Sequence, residues 1–199
     1  MKLTFPPIFA AVLLCGVSAS FAKPSPNSPR SDLAALHARA AHGSVRAQNS
    51  LGFMYATGRG VRKNRAEAVR WFRMAAKHGS ALAQNNLGFA YAQGDGVRKD
   101  TAEAVRWYRK GAERGSAPAQ NGLGFMYATG QGVEKNYVQA GKWMLLAARQ
   151  GEVKAERNYA RLLRYLKPAE REEVERLARA FRLAIRDNWL KAAPRPARR

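Results

Sequence analysis

Apolar and polar positions repeat every 36 residues along the middle of the chain. Leu51, Leu87 and Leu123 share this interval, and glycine, tyrosine and tryptophan residues recur with it. Inside one period, Ala83, Leu87 and Tyr91 fall at i, i+4 and i+8, which predicts a helix with one buried stripe. Fixed self-similarity at this length is typical of a solenoid, in which each unit buries its apolar face against its neighbours.

Polar residues and glycines within each period predict two helices per unit. A serine after each boundary glycine is a good N-cap for the first helix, and an Asn or Asp suits the start of the second. The predicted caps are Ser44, Ser80 and Ser116, and Asn64, Asp100 and Asn136. Glu67 and its equivalents have capping-box spacing. Paired glycines such as Gly94 and Gly96 favour a tight reversal, and the mid-helix Gly88 indicates that another helix approaches closely.

The two ends of the array depart from the repeat, as a finite solenoid requires. The second half of the last unit begins after Lys167-Pro168 with a long, strongly charged helix that we expect to close the unit. The predicted repeat domain covers 31–190. Its parts are an N-terminal half-unit cap at 31–42, full units at 43–78, 79–114 and 115–150, and a divergent fourth unit with a capping helix at 151–190.

Residues 1–22 have the layout of a secretory signal peptide. Lys2 gives a positive start, an apolar stretch runs from Ile8 to Val17, and small residues precede a predicted cleavage after Ala22. This stretch is too short to span a bilayer, and no later segment is more apolar, so no transmembrane segment is predicted. We therefore expect a periplasmic or secreted protein.

A lipoprotein signal is the alternative, because Cys15 follows apolar residues. Such signals have a small residue before the cysteine, where this chain has Leu14. Cys15 is the only cysteine, so a chain cleaved after the signal has no disulfide, thiolate metal site or cysteine nucleophile. Residues 23–30 predict a stiff Pro-rich linker and residues 191–199 a basic tail.

The repeated unit resembles the Sel-one-like repeat (SLR), a relative of the tetratricopeptide repeat. The shared pattern is A-Q-N-x-L-G-F-x-Y-A-x-G-x-G-V followed by A-E-A-V-R-W, and its L-G-x-x-Y-x-x-G-x-G-V core occurs three times between Gly43 and Gly151. The resemblance implies an all-α, right-handed α-solenoid of antiparallel helix pairs that assembles protein complexes. Bacterial members are often exported. Some cysteine-rich members have β-lactam-related activity attributed to them, and this chain lacks their cysteines.

The resemblance also implies a binding groove, since first helices line the concave face of tetratricopeptide-like superhelices. Exposed residues are expected two positions before and after each buried leucine. The candidate peptide-binding residues are Asn49, Phe53, Asn85, Phe89, Asn121 and Phe125. Asparagine amides can pair with the backbone of an extended peptide, and the phenylalanines can supply an apolar floor. The alternative is that duplication copied these residues with the fold and that the phenylalanines pack between units.

A second candidate site is a basic patch in the fourth unit. Four cationic residues recur there at helical spacing: Lys154, Arg157, Arg161 and Arg164. Arg157 occupies the register of the asparagines and Arg161 that of the phenylalanines. Guanidinium groups bind carboxylates and phosphates bidentately, so the patch suits an anionic partner. The alternative is a solvated capping face neutralised by Glu156, Glu170 and Glu173.

The net charge of +21, from 35 Lys and Arg against 14 Asp and Glu, favours acidic partners or polyanions. Cations spread over solvated helix faces are the alternative. The sequence contains no phosphate loop, metal-ligand spacing or nucleophile elbow, so no catalytic residue, metal or cofactor is predicted.

We predict a non-catalytic adaptor that binds a peptide or acidic protein. A polyanion-binding envelope protein, on cell-wall glycan or lipopolysaccharide, is the alternative, and an envelope hydrolase ranks third. No nucleic-acid partner is expected, because export argues against one and no binding motif is present.

Overall fold

The computed structural model describes residues 29–192, which form nine α-helices in sequential antiparallel pairs. A 3₁₀ turn, Leu163–Tyr165, lies between the last two. The helices are α1 (Pro29–Ala41), α2 (Val45–Thr57), α3 (Arg65–Lys77), α4 (Ala81–Gln93), α5 (Thr101–Glu113), α6 (Ala117–Thr129), α7 (Tyr137–Ala148), α8 (Val153–Leu162) and α9 (Pro168–Ala192). The all-α repeat architecture predicted from the sequence is confirmed. The predicted signal peptide and most of the predicted linker and tail lie outside the described residues.

The helices begin at the predicted caps. Ser80 Oγ accepts the N–H of Ala83 at 3.2 Å, and its equivalents in α2 and α6 do the same. Asn64 Oδ1 accepts the N–H of Glu67 at 3.0 Å. The expected capping box is only half formed, because the Asn64 N–H donates to the carbonyl of Tyr55, at 2.9 Å. The Glu67 carboxylate pairs instead with Arg70 at 3.0 Å.

Gly96 shows why the loop between the helices needs a second glycine. Its φ of 74° lies in the left-handed region, as the sequence pattern predicts. A Cβ atom there would also overlap the main chain of Arg65 in the preceding unit, and Gly132 meets Thr101 in the same way. The loop therefore packs unit against unit, which excludes any side chain larger than hydrogen at this position.

In the first two units, the core residue of the second helix is the one that follows the tryptophan, whereas in the third unit Trp143 and Met144 are both buried. Phe72 and Tyr108 are buried, whereas Trp71 and Trp107 are only partly buried. The Tyr108 ring lies against Gly88, where a Cβ would be 2.6 Å from it. The expected close approach at the mid-helix glycine is thus made by an aromatic ring.

A ladder of buried glutamines ties consecutive units together. Gln84 is almost completely buried, and its Nε2 donates to the carbonyl oxygen of Ala76 in the unit before, at 3.3 Å. Gln48 and Gln120 make the same bond. The same carbonyl also accepts the N–H of the boundary glycine, as Ala76 does from Gly79 at 3.0 Å, so the glutamine adds a second donor at the end of the preceding helix.

At the C-terminal end, α9 packs against α7 rather than forming a regular pair with α8. This differs from the expectation that it closes the fourth unit. Gly141 explains the difference: it stands where earlier units have a buried valine, and a Cβ there would be 2.7 Å from Cγ2 of Val174 on α9. The Phe181 ring meets Trp143 edge-on, with centroids 5.0 Å apart. The long helix therefore covers the exposed core of the last full unit.

Candidate peptide-binding groove

The first helices of the units lie beside one another and form one face of the array. α4 packs directly against α6, and α6 against α8, whereas α3 and α5 pack mainly against first helices. A stack whose first helices are closer together than its second helices curves toward the first helices. We call this face, lined by α2, α4, α6 and α8, the groove.

The predicted phenylalanine ladder lies on the groove with about half of each side chain exposed. Phe53, Phe89 and Phe125 are 49%, 53% and 47% exposed. Three large apolar side chains at one register therefore remain accessible to solvent. Their role in binding stays a prediction. The Arg59 guanidinium lies over the Phe53 ring, 5.7 Å from its centroid, and the exposed parts of the three rings can contact an apolar partner group.

The three asparagines of the predicted ladder differ in their environment. Asn49 Nδ2 donates to Ser80 Oγ in the next unit at 2.8 Å, and Asn121 Oδ1 accepts from Asn158 at 3.0 Å. Asn85 Nδ2 contacts only its neighbour Asn86, at 3.3 Å. All three are half-buried. Two of them therefore hold adjacent units together, which leaves less of the ladder to pair with a peptide backbone.

An apolar cleft opens between α2 and α4, with Phe53 and Phe89 at its mouth. Its enclosed part has a volume of about 270 Å³ and a floor formed by α3. A wider part continues toward the beginning of the two helices, beside the exposed Leu82. The residues around the enclosed part are Phe53, Ala56, Thr57, Arg65, Ala68, Val69, Phe72, Asn86, Phe89, Ala90 and Asp95.

Asn86 distinguishes this cleft from the junction one unit further on. Tyr108 packs against Gly88 of its own unit and also against Gly122 of the next, where a Cβ would be 2.6 Å from the ring. The residue one period before Gly122 is Asn86, and its side chain lines the cleft beside Phe72. α6 therefore closes on α5 and contacts α4, whereas α4 stands apart from α2. Asn86 was not among the predicted site residues; the signal in the sequence was Gly122, the only glycine in a register that otherwise holds Ser50, Asn86 and Asn158.

An ion pair lies at one edge of the cleft. Arg65 Nη1 of α3 is 2.6 Å from Asp95 Oδ1 in the next loop. The pair joins α3 to the loop of the next unit across the unit boundary. The pair fixes the position of the loop beside the cleft.

The predicted basic patch on and after α8 is exposed. Lys154, Arg157, Arg161 and Arg164 are all accessible, and within residues 29–192 none of them forms an ion pair. Two of the carboxylates expected to neutralise them are engaged elsewhere. Glu170 accepts the N–H of Lys167 at 2.7 Å, and Glu173 pairs with Arg176. The patch therefore retains cations that are available to an anionic group.

The charge along the groove changes abruptly at α8. The helices α4 and α6 contain no Lys, Arg, His, Asp or Glu, and α2 contains only Arg46. The Asn158–Asn121 hydrogen bond holds α8 beside α6, so the patch continues directly from this uncharged surface. Most other cations of the units lie on α3, α5 and the loops.

In the part of the chain that the structure covers, no His, Cys, Asp or Glu residues cluster in a way that could hold a metal ion. No helix within 29–192 combines the length and apolarity needed to cross a membrane.

The model of the Sel1 repeat family matches residues 45–80, 81–116 and 117–152, more than half of the chain. A solved Sel1 repeat protein from Oxalobacter formigenes is 39% identical, with a TM-score of 0.61, over 65% of this chain and 53% of that one. A protective antigen of uropathogenic Escherichia coli strains that displays an SLR fold is 29% identical, with a TM-score of 0.59. The match covers 86% of this chain and 46% of that one. The chain thus spans about half the length of these relatives, and no curated protein matches it. Its three matched repeats make this chain a member of the Sel1 repeat family.

Proposed function

We propose that the protein is a non-catalytic adaptor that binds a peptide or protein segment in the groove. Helical repeat proteins typically mediate protein interactions, because their extended curved surface contacts long partner segments. The observation that carries the proposal is the row of half-exposed phenylalanines on α2, α4 and α6, three helices whose only charged residue is Arg46. Apolar surface of this kind, repeated at one register, is costly to leave in water and favours a protein partner.

The partner is acidic, and the complex forms in the bacterial envelope or outside the cell. The basic patch supports the first part, because its exposed guanidinium groups suit carboxylates. The secretory character of residues 1–22 supports the second part.

A polyanion-binding envelope protein is the second candidate. The observation that favours it is the net charge of +21, with cations carried on α3, α5 and the loops as well as on the patch. Cell-wall glycan or lipopolysaccharide would bind such a surface through many weak ionic contacts. These contacts weaken steeply with ionic strength, whereas apolar recognition in the groove largely persists.

Affinity capture from an envelope extract separates the two candidates. Immobilised protein is washed at low and at high salt, and bound proteins are identified by mass spectrometry. The adaptor role predicts a discrete protein that is retained at high salt, lost from the Phe53→Ala/Phe89→Ala variant and kept by the Arg62→Gln/Arg98→Gln loop variant. Loss of all ligands at high salt, with glycan or lipopolysaccharide bound at low salt, would contradict it.

A further inference from the structure

We propose that the α2–α4 cleft anchors one bulky apolar side chain of the partner, and that acidic residues six to eight positions away along the partner segment contact the basic patch. This inference rests on the proposed adaptor function. It adds the chemistry of the bound segment: one aromatic or large aliphatic residue, an uncharged spacer and a short acidic run.

The size and lining of the cleft fit one ring. A dry cavity of about 150 Å³ lined by apolar side chains is enough to bind benzene. The enclosed part of this cleft is larger, about 270 Å³, and its floor is formed by Val69 and Phe72. Phe53 and Phe89 frame the opening, so a tryptophan, phenylalanine or leucine side chain that enters from the groove contacts mainly apolar atoms, with Asn86 and the Arg65–Asp95 pair also lining the cleft.

The position of the anchor is set by the difference between Asn86 and Gly122. Gly122 lets α6 close on the Tyr108 ring, while Asn86 leaves the preceding junction open. The phenylalanine ladder repeats along the groove, but the enclosed cleft belongs to α2 and α4. The segment therefore has a defined register along the groove.

The charge distribution sets the position of the acidic run. A carboxylate bound over α4 or α6 meets no basic side chain of those helices, whereas over α8 it meets Arg157 and Arg161. Packed helices are about 8–10 Å apart, which puts α8 roughly 20–25 Å from the cleft. An extended chain advances about 3.3 Å per residue, so six to eight residues cover this distance.

Fluorescein-labelled peptides with this design test the inference. The parent peptide is Trp-(Ser-Gly)₂-Ser-Glu-Asp-Glu, which places its acidic residues six to eight positions from the tryptophan, and it is made also with the reverse order of residues. One control replaces Trp by Ser, another replaces Glu-Asp-Glu by Gln-Asn-Gln, and a third shortens the spacer to one Ser-Gly pair. Binding is followed by fluorescence anisotropy at low and at physiological salt. We expect either the forward or the reversed parent peptide to bind saturably. Replacing its tryptophan should lower the affinity about tenfold or more, as loss of a buried anchor does.

Two pairs of protein variants locate the contacts. Phe89→Ala removes part of the cleft wall and should lower the affinity for the parent peptide about tenfold. Phe125→Ala removes the equivalent side chain one unit further on and should change this affinity about twofold at most. Arg157→Gln/Arg161→Gln should lower the affinity for the acidic peptide about fivefold at low salt. The affinity for the Gln-Asn-Gln peptide should not change. The matched control, Arg62→Gln/Arg98→Gln, removes the same charge from the loops. Circular dichroism confirms that each variant is folded.

Several outcomes would overturn the inference. The first two are that neither parent peptide binds, or that the peptide without tryptophan binds as tightly as the parent. The other two are that Phe89→Ala and Phe125→Ala weaken peptide binding equally, or that Arg157→Gln/Arg161→Gln and Arg62→Gln/Arg98→Gln do so. The adaptor role itself fails separately, if the partner captured from an envelope extract binds the Phe53→Ala/Phe89→Ala variant as well as it binds the unaltered protein.

Discussion

Arg73 of α3 donates a hydrogen bond from Nη2 to the hydroxyl of Tyr91 on α4, at 3.0 Å, and so links the first unit to the second. A hydrogen bond between a tyrosine hydroxyl and the residue 18 positions before it also occurs one period earlier and one period later. The equivalent pairs are His37 with Tyr55 at 3.3 Å and Arg109 with Tyr127 at 2.9 Å. One period further on the two positions are Leu145 and Leu163, both within the apolar core beside α9. The polar link therefore ends where the regular array ends.

The Arg73–Tyr91 hydrogen bond should contribute measurably to stability. A double-mutant cycle of Arg73→Met and Tyr91→Phe, followed by urea unfolding, should give a coupling energy of about 1 kcal/mol, because a charged donor binds a half-buried hydroxyl. The Arg109–Tyr127 cycle is the matched comparison and should give a similar value. A coupling near zero at both sites would mean that apolar packing alone sets the spacing of the units.

Gly141→Val should displace α9. The valine side chain fits α7 itself, since Val69 and Val105 occupy this register, but it would collide with Val174 of α9. We expect a loss of about 1–3 kcal/mol in the free energy of unfolding and faster hydrogen exchange in α9. Adding Val174→Ala should restore part of the loss. A Gly141→Val protein as stable as the parent, with α9 still protected, would contradict the packing described above.

Stability should fall at high pH through Tyr108. Burial raises the pKa of Tyr108 to about 12 from 10.0, so between these values the folded protein keeps a proton that the unfolded chain releases. The free energy of unfolding should be unaffected by this group below pH 10 and should then decrease by about 1 kcal/mol per pH unit up to pH 12. Tyr108→Phe, which copies Phe72, should remove this component in urea titrations. An unchanged pH profile in the variant would contradict the assignment.

The sequence predicts most of the fold, because the signals are local and occur three times. Ser80 and Asp100 are caps that act within one turn, and Gly94 ends α4 in the left-handed conformation as its position implies. Burial of individual side chains was harder to predict. Trp107 has the stronger apolar character, yet Tyr108 is more buried, because the orientation of α5 against Gly88 decides which face is inside.

Contacts between units were beyond sequence reasoning where they depend on one departure from the repeat. The closed junction of α4 and α6 depends on Gly122, where the other units have Ser50, Asn86 and Asn158, and the placement of α9 depends on Gly141 in place of a valine. A periodic pattern draws attention to residues that recur, such as the phenylalanines. The buried Gln84 also recurs, but its bond to Ala76 joins two helices whose relative position only the structure gives.

Site-specific photo-crosslinking tests the adaptor role most directly. A benzoylphenylalanine side chain is placed at position 89 in the groove or, as the control, at position 70 on the exposed face of α3. After irradiation in an envelope extract, we predict a discrete crosslinked protein from position 89 that persists at high salt, and none from position 70. Crosslinking of the same protein from position 70, with none from position 89, would contradict binding in the groove.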